Sequence, residues 1–291
     1  MRKQEDWKYV IEPVNKRFEL NFREIWQRRD LIYLFVKRDF ISRYKQTILG
    51  PLWAIINPVF TTVVFTIVFG EFAKLPTMDT ALSSNMKVPS FLFYMIGNVL
   101  WGLFSNIVKD TSNTFIKNSA IMGKVYYPRL VSPISSAISA LLTFFIRGLF
   151  FAVLLFICIF NGMASVRVSA MLLMVPLLIL QLMLLGLGAG LMVTAVTTKY
   201  RDMIMIVDFG LQLWLYATPV TYGLKLVPEK WLPLFMLNPV TPILTTMRYA
   251  CLGEGYFRIQ YFIQGWIITL LILFVGFFLF NRAEKNFVDT I

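Results

Sequence analysis

AMLLMVPLLILQLMLLGLGAGLMVTAV, residues Ala170–Val196, holds no Asp, Glu, Lys or Arg in 27 positions. A helix crosses the hydrocarbon core of a bilayer with about 20 apolar residues. This stretch therefore spans, with length left to tilt or to project beyond the membrane. Working outward, five further segments meet the same test: Pro51–Phe72, Ser90–Val108, Ile134–Phe160, Met203–Gly223 and Phe262–Phe280. The bulk composition agrees, because 57% of the 291 residues are hydrophobic and only 15% are charged. Soluble domains carry about 25% charged residues. The expected fold is an all-α integral membrane protein of six transmembrane helices.

The net charge of +12 does not point to nucleic acid, because membrane proteins collect Lys and Arg on cytoplasmic connections. Residues 1–50 hold twelve, the second and fourth connections add Lys109, Lys117, Lys124, Arg129, Lys199 and Arg201, and the C-terminus adds Arg282 and Lys285. The opposite connections hold seven, among them Arg248 and Arg258. Both termini are thus expected in the cytoplasm, in keeping with an even number of spans. The polar, basic first 50 residues do not read as a cleavable signal peptide; the first span is expected to do its own targeting, and residues 1–21 read as a cytoplasmic extension.

The absence of histidine excludes His-ligated metals, a Ser-His-Asp triad and a Cys-His pair. Cys158 and Cys251 lack CxxC spacing and read as small apolar fillers. No metal site and no catalytic residues are expected. No Gly-rich loop of the GxxxxGK type occurs, so any ATP would have to be bound by another chain.

Two segments are neither spans nor plain loops. In residues 22–50, Phe22, Ile25, Trp26, Ile32, Tyr33, Val36 and Phe40 follow near-helical spacing with basic residues between them, and Leu31, Leu34 and Phe35 blur the stripe. A basic helix with aromatics suits the membrane interface, and a soluble helix packed on a partner is the alternative. Leu224–Tyr261 is rich in proline yet apolar. It reads as short re-entrant external helices, broken near Asn238-Pro239, with a structured external loop as the alternative.

Polar groups within spans cost free energy and tend to be functional. Three stripes at helical spacing mix aromatics with hydrogen-bonding side chains: Trp53, Asn57 and Thr61; Tyr94, Asn98, Trp101 and Ser105; and Asp208, Gln212 and Tyr216. Such faces suit a path for sugars, whose C–H faces pack on rings while their hydroxyls exchange hydrogen bonds. Helix–helix contact through polar side chains is the competing reading. Arg147 lies inside the third span and should face protein or water. Asp208 is its charged candidate partner, unless Asp208 faces the cytoplasmic mouth.

The stretch Lys37-Arg38-Asp39-Phe40-Ile41-Ser42-Arg43-Tyr44-Lys45-Gln46-Thr47-Ile48-Leu49-Gly50-Pro51-Leu52-Trp53 resembles the opening motif of ABC-2 type permeases that export polysaccharides such as O-antigen, capsule and teichoic acid. Lys124 to Arg129, Tyr200-Arg201-Asp202, Pro219 to Tyr222, Asn238-Pro239, Glu284 and Phe287 to Ile291 are similar to later motifs of that family, and the resemblance covers about residues 22–291. It implies a six-span domain over 51–291, a homodimer and two copies of a separate ATPase subunit that carries ATP and Mg, with no cofactor in this chain. It also implies a bacterial cytoplasmic (inner) membrane location and a glycan cargo on a polyprenyl diphosphate. By the same resemblance, Arg38, Asp39, Arg43, Tyr44, Lys45, Tyr126, Tyr127, Pro128, Arg129, Tyr200, Arg201 and Asp202 are expected at the ATPase side. Pro219, Tyr222, Asn238 and Pro239 are expected in an external gate. The alternatives are an ABC-2 exporter of a drug, lipid or peptide, and a membrane-embedded transferase, against which the scarce carboxylates count.

Overall fold

The computed structural model describes residues 22–45, 47–74, 88–122, 124, 127–164, 170–198, 200, 202–253 and 255–287. The extension 1–21, Tyr126, Arg201 and the last residues of the C-terminal motif lie outside them. Eleven α-helices follow one another among the described residues: α1 Phe22–Gln27, α2 Arg29–Tyr44, α3 Trp53–Phe65, α4 Ser90–Ser112, α5 Thr114–Met122, α6 Val131–Phe160, α7 Val175–Thr197, α8 Met203–Ala217, α9 Leu232–Leu237, α10 Val240–Leu252 and α11 Ile259–Phe287. No strand occurs among these residues.

Among the described residues, five helical segments are long and apolar enough to cross a membrane: Gly50–Phe72, Ser90–Ser112, Val131–Phe160, Ala170–Thr197 and Ile259–Ala283. The chain is a multi-pass membrane protein. The segment expected as the fifth of six spans is shorter. Its helix stops at Ala217, and 15 residues reach only about 22 Å at 1.5 Å per residue. The stop has a local cause. Pro219 disfavours helix at the residue before it, and Thr218 is extended, with ψ 140.

The central helix is α4, of whose spanning window 72% is buried, against 17% for the segment containing α3. Helices α3, α6, α7, α8 and α10 all pack on it. The most extensive helix–helix packing among the described residues is that of α7 with α11. There Gly188 lies against the backbone of the partner helix, so that a Cβ on it would stand 2.7 Å from the Cα of Leu273. Small residues let backbones approach in this way where lipid supplies no hydrophobic drive between helices.

The first spanning segment opens with a 3-10 turn, Gly50–Leu52, that leads into α3; the φ of +51 at Gly50 is the left-handed conformation that glycine takes without a Cβ penalty. Pro51 follows in the first turn, where its missing N–H costs nothing. A second proline, Pro58, lies inside the helix. It has no N–H for the carbonyl four residues back, Ala54. Arg147 of α6 supplies the donor, its Nε lying 3.0 Å from that carbonyl oxygen. Beyond Phe65 the helix widens into a π-helical run, Thr66–Phe72.

Helix α2 runs along the first turns of α6. Its buried face is Phe35, Val36 and Asp39, with Phe35 edge-on to Tyr127. This corrects the expected stripe. Trp26 and Tyr33 are 71% and 65% exposed, whereas Phe35, which seemed to spoil the pattern, anchors the helix. The sequence pattern merged two faces, one packed on α6 and one left open.

Candidate functional site

Helix α4 connects two clusters. From Phe93 to Asp110 it covers about 25 Å at 1.5 Å per residue. At its C-terminal end the side chains are charged. The Asp39 carboxylate is buried and accepts from Arg38 Nη2 at 2.9 Å and from Lys117 Nζ at 3.2 Å. Arg38 Nη2 also donates to Asn118 Oδ1 at 2.8 Å, and its guanidinium lies over the Phe35 ring. Arg43 pairs with Asp110 at 2.6 Å and reaches Thr143 at 3.4 Å. Lys109 pairs with Asp208 at 2.9 Å. These contacts tie α2, α4, α5, α6 and α8 together at one end.

Tyr127 belongs to the same end. It is buried and shares a hydrogen bond of 3.0 Å with Ser132. Burial pushes its phenol above the ordinary value, against the opposing pull of the Ser132 bond, Arg38 and Arg129. Tyr44 stacks edge-on with Phe40. Pro128 and Arg129 are half-buried, while Lys45, Tyr200 and Asp202 are exposed. The structure thus gathers Arg38, Asp39, Arg43 and Tyr127 into one group at this end, held by separate contacts: Asp39 with Arg38 and Lys117, Arg43 with Asp110, and Tyr127 with Ser132 and Phe35. Lys109, Asp110, Lys117 and Asn118 are members that the sequence motifs did not single out.

At the other end the chemistry is backbone capping. After α8 breaks, Arg248 of α10 donates from Nη1 to the Pro219 carbonyl at 2.6 Å and from Nη2 to the Val220 carbonyl at 2.7 Å. Its guanidinium stacks 3.6 Å from the Phe93 ring centroid. Arg248 is wholly buried. By sequence position alone it falls among the ordinary charges of the external connections. Its signal was available, since it is the only charge between Lys230 and Glu254. Asn238 joins the same knot, with Nδ2 donating to Thr218 Oγ1 at 2.9 Å and Oδ1 accepting from Val240 N at 3.2 Å. That second bond is an Asx turn, and it starts α10 just after the break at Asn238-Pro239. Pro239 and Pro219 are buried. Tyr222 donates to the Tyr216 carbonyl at 3.2 Å and packs on Phe235.

The three polar–aromatic stripes separate. On α3 and α8, Trp53, Asn57, Gln212 and Tyr216 face outward from the bundle. Thr61, Ser105 and Asp208 are half-buried, with Thr61 bonded back to the Asn57 carbonyl. The α4 stripe is corrected in two members. Tyr94 and Trp101 are buried, and Trp101 packs against Phe104 and Trp214. Asn98 holds α4 to α3 through the Pro58 carbonyl at 3.0 Å. Arg147 serves Ala54 rather than Asp208, because Pro58 vacates that carbonyl and Lys109 already pairs with Asp208. Among the described residues no group of side chains is arranged to hold a metal ion.

A family model for the ABC-2 type transporter matches residues 30–252. This chain belongs to the ABC-2 type transporter family. The ABC-2 permease is also similar to two Klebsiella pneumoniae proteins named O-antigen export system permease protein RfbA, each 24% identical, with 89% of this chain and 94% of each relative covered. A Myxococcus xanthus protein of the same name is 24% identical, with 92% and 98% covered.

Proposed function

We propose that this permease is the transmembrane subunit of an ATP-driven exporter that moves a polysaccharide such as O-antigen, carried on a polyprenyl diphosphate, across the bacterial inner membrane. The observation that carries the reading is the outward polar–aromatic surface of α3 and α8. Asn57, Gln212 and Tyr216 are exposed on one protomer, and hydrocarbon solvates such groups poorly. A second copy set against these helices would enclose them in a lumen lined by amides and rings, the chemistry that sugars need. Support for the cargo class comes from the relatives named for O-antigen export.

In this reading α8 and the buried backbone after it make a sixth span, since irregular backbone is tolerated at membrane depth when protein covers it. Thr218, Pro219, Val220 and Thr221 are all buried. Both termini then lie in the cytoplasm, α1 and α2 lie at the inner interface, and α9 and α10 re-enter from outside. Two copies of a separate ATPase bind ATP and Mg and close against the charged end. Arg38, Asp39 and Arg43 pass that motion to α4, and α4 carries it to the capped break. This chain has no catalytic residue and no cofactor of its own. Tyr94 and Trp101 support the wall from behind instead of touching cargo.

The test is reconstitution with the ATPase encoded beside this chain. Lipid-linked glycan should stimulate ATP hydrolysis and cross the bilayer. Asn57→Leu with Gln212→Leu should cut export while thermal stability holds. Export unchanged by the pair would remove the proposed lumen. Turnover of a lipid-linked sugar by the chain without ATPase would replace the reading with a transferase.

A further inference from the structure

Between α4, α6, α7 and α10 lies a cavity of about 360 Å³ that the transport reading does not use. Its walls include Val99 and Leu100, Phe144 and Phe151, Ile179 and Met247. Every lining residue is hydrocarbon or aromatic, apart from the sulfur atoms of Met247 and Cys251. Water finds no polar partners there; an engineered apolar cavity of about 150 Å³ stays dry and takes benzene. The lining follows α6 from Phe144 to Ile159, about 22 Å of helix at 1.5 Å per residue. The space is therefore a slot, shaped for a chain more than for a compact ring.

The slot opens outward. Phe145, Ile159 and Leu172 line it and are 54%, 41% and 41% exposed. All three belong to segments long and apolar enough to cross the membrane, so the mouth faces lipid. A peptide would bring backbone N–H and C=O groups that nothing in the slot satisfies. A hydrocarbon chain brings none, and the bilayer supplies it in excess.

We propose that this slot binds one acyl chain of a membrane phospholipid, inserted between α6 and α10. The inner wall on α10 is Met247, Ala250 and Cys251, which bracket Arg248 in sequence. The bound chain thus braces the helix whose arginine caps the broken end of α8. It is a lipid site built into the packing behind the external end of the bundle.

The test uses the full chain in phosphatidylethanolamine–phosphatidylglycerol vesicles doped with a phospholipid bearing a diazirine near the end of one acyl chain. After photolysis, adducts are mapped by mass spectrometry. Adducts are expected on Leu100, Phe151 and Met247, behind the surface, as well as on outward Leu149 and Phe156. Gly148 lines the slot, and a Cβ there meets nothing within 4 Å. Gly148→Phe should lose the interior adducts and keep the outward ones, with Gly148→Ala retaining both. Ala152→Trp plugs the mouth independently, should the first variant fail to insert. Labelling confined to Leu149 and Phe156 in the unmodified chain would overturn the proposal. So would interior adducts that persist in both plugged variants. Displacement of the interior adducts by an equal amount of polyprenyl phosphate would also overturn it, by reassigning the slot to an isoprenoid.

Discussion

The two ends of α4 are held by opposite means. At the charged end, carboxylates meet cations across four helices, α2, α4, α5 and α8, and most partners stay partly exposed: Arg38 at 35%, Lys117 at 46%, Lys109 at 38% and Asp208 at 45% of their side-chain surface. At the capped end, one wholly buried arginine satisfies backbone carbonyls that a helix break has left open. Half-exposed ion pairs are weak and exchangeable, which suits the proposed contact with an ATPase subunit. A buried cation on carbonyls is costly to disturb, which suits a fixed pivot. The difference teaches that the protein places its adaptable chemistry where force is expected to enter and its rigid chemistry where the backbone is broken.

The comparison breaks most clearly at Arg248. Arg248→Met should lose the charge-assisted bonds to the Pro219 and Val220 carbonyls and the longer one to Phe93, costing about 3–5 kcal/mol. Thermal unfolding in lipid nanodiscs should show a large drop, with Arg248→Lys in between. An Arg248→Met protein as stable as the unmodified one would end the pivot idea. Next comes Arg147→Leu, which leaves the Ala54 carbonyl without its donor and should cost about 1–3 kcal/mol, read in the same assay. Asp39→Ala should cost less, about 1 kcal/mol, because the partly exposed Arg38 and Lys117 regain water. Its sharper effect should be on function, with glycan-stimulated ATP hydrolysis falling while unstimulated membrane insertion persists. Smallest is Lys109→Ala, at no more than about 1 kcal/mol for an exposed pair, and raising salt should erase the difference. A Lys109 effect larger than that of Arg248 would invert the comparison.

Much of this was legible in sequence. Hydrophobic length located the long helices, and the break at Asn238-Pro239 followed from its proline. The motif around Arg38, Asp39 and Arg43 marked residues that lie at one end of α4, Asp39 paired with Arg38 and Lys117 and Arg43 with Asp110. What stayed hidden depended on partners far along the chain. Asp39 looked like one more surface charge until Lys117 and Asn118 of α5 closed on it. Arg147 was matched with a carboxylate because charge is visible in a sequence, whereas a carbonyl vacated by Pro58 is not. Tyr94 and Trp101 fit a polar–aromatic stripe, but periodicity alone does not say which face of α4 is covered by α8. The α2 stripe failed for a similar reason, since two apolar faces of one helix overlap in a helical projection.

The Pro58–Arg147 arrangement has a consequence in time. Ala54 and the arginine that serves it are 93 residues apart. At about 5–20 residues per second of synthesis, roughly 5–20 s separate their emergence from the ribosome. During that interval the first membrane segment carries a carbonyl with no donor, and hydrocarbon charges several kcal/mol for such a group. The third segment then brings a cation that is itself unwelcome in lipid. Each relieves the other only on meeting. The expected consequence is that α3 stays at the insertion machinery or the interface until α6 arrives, and that the two enter the bilayer as a pair.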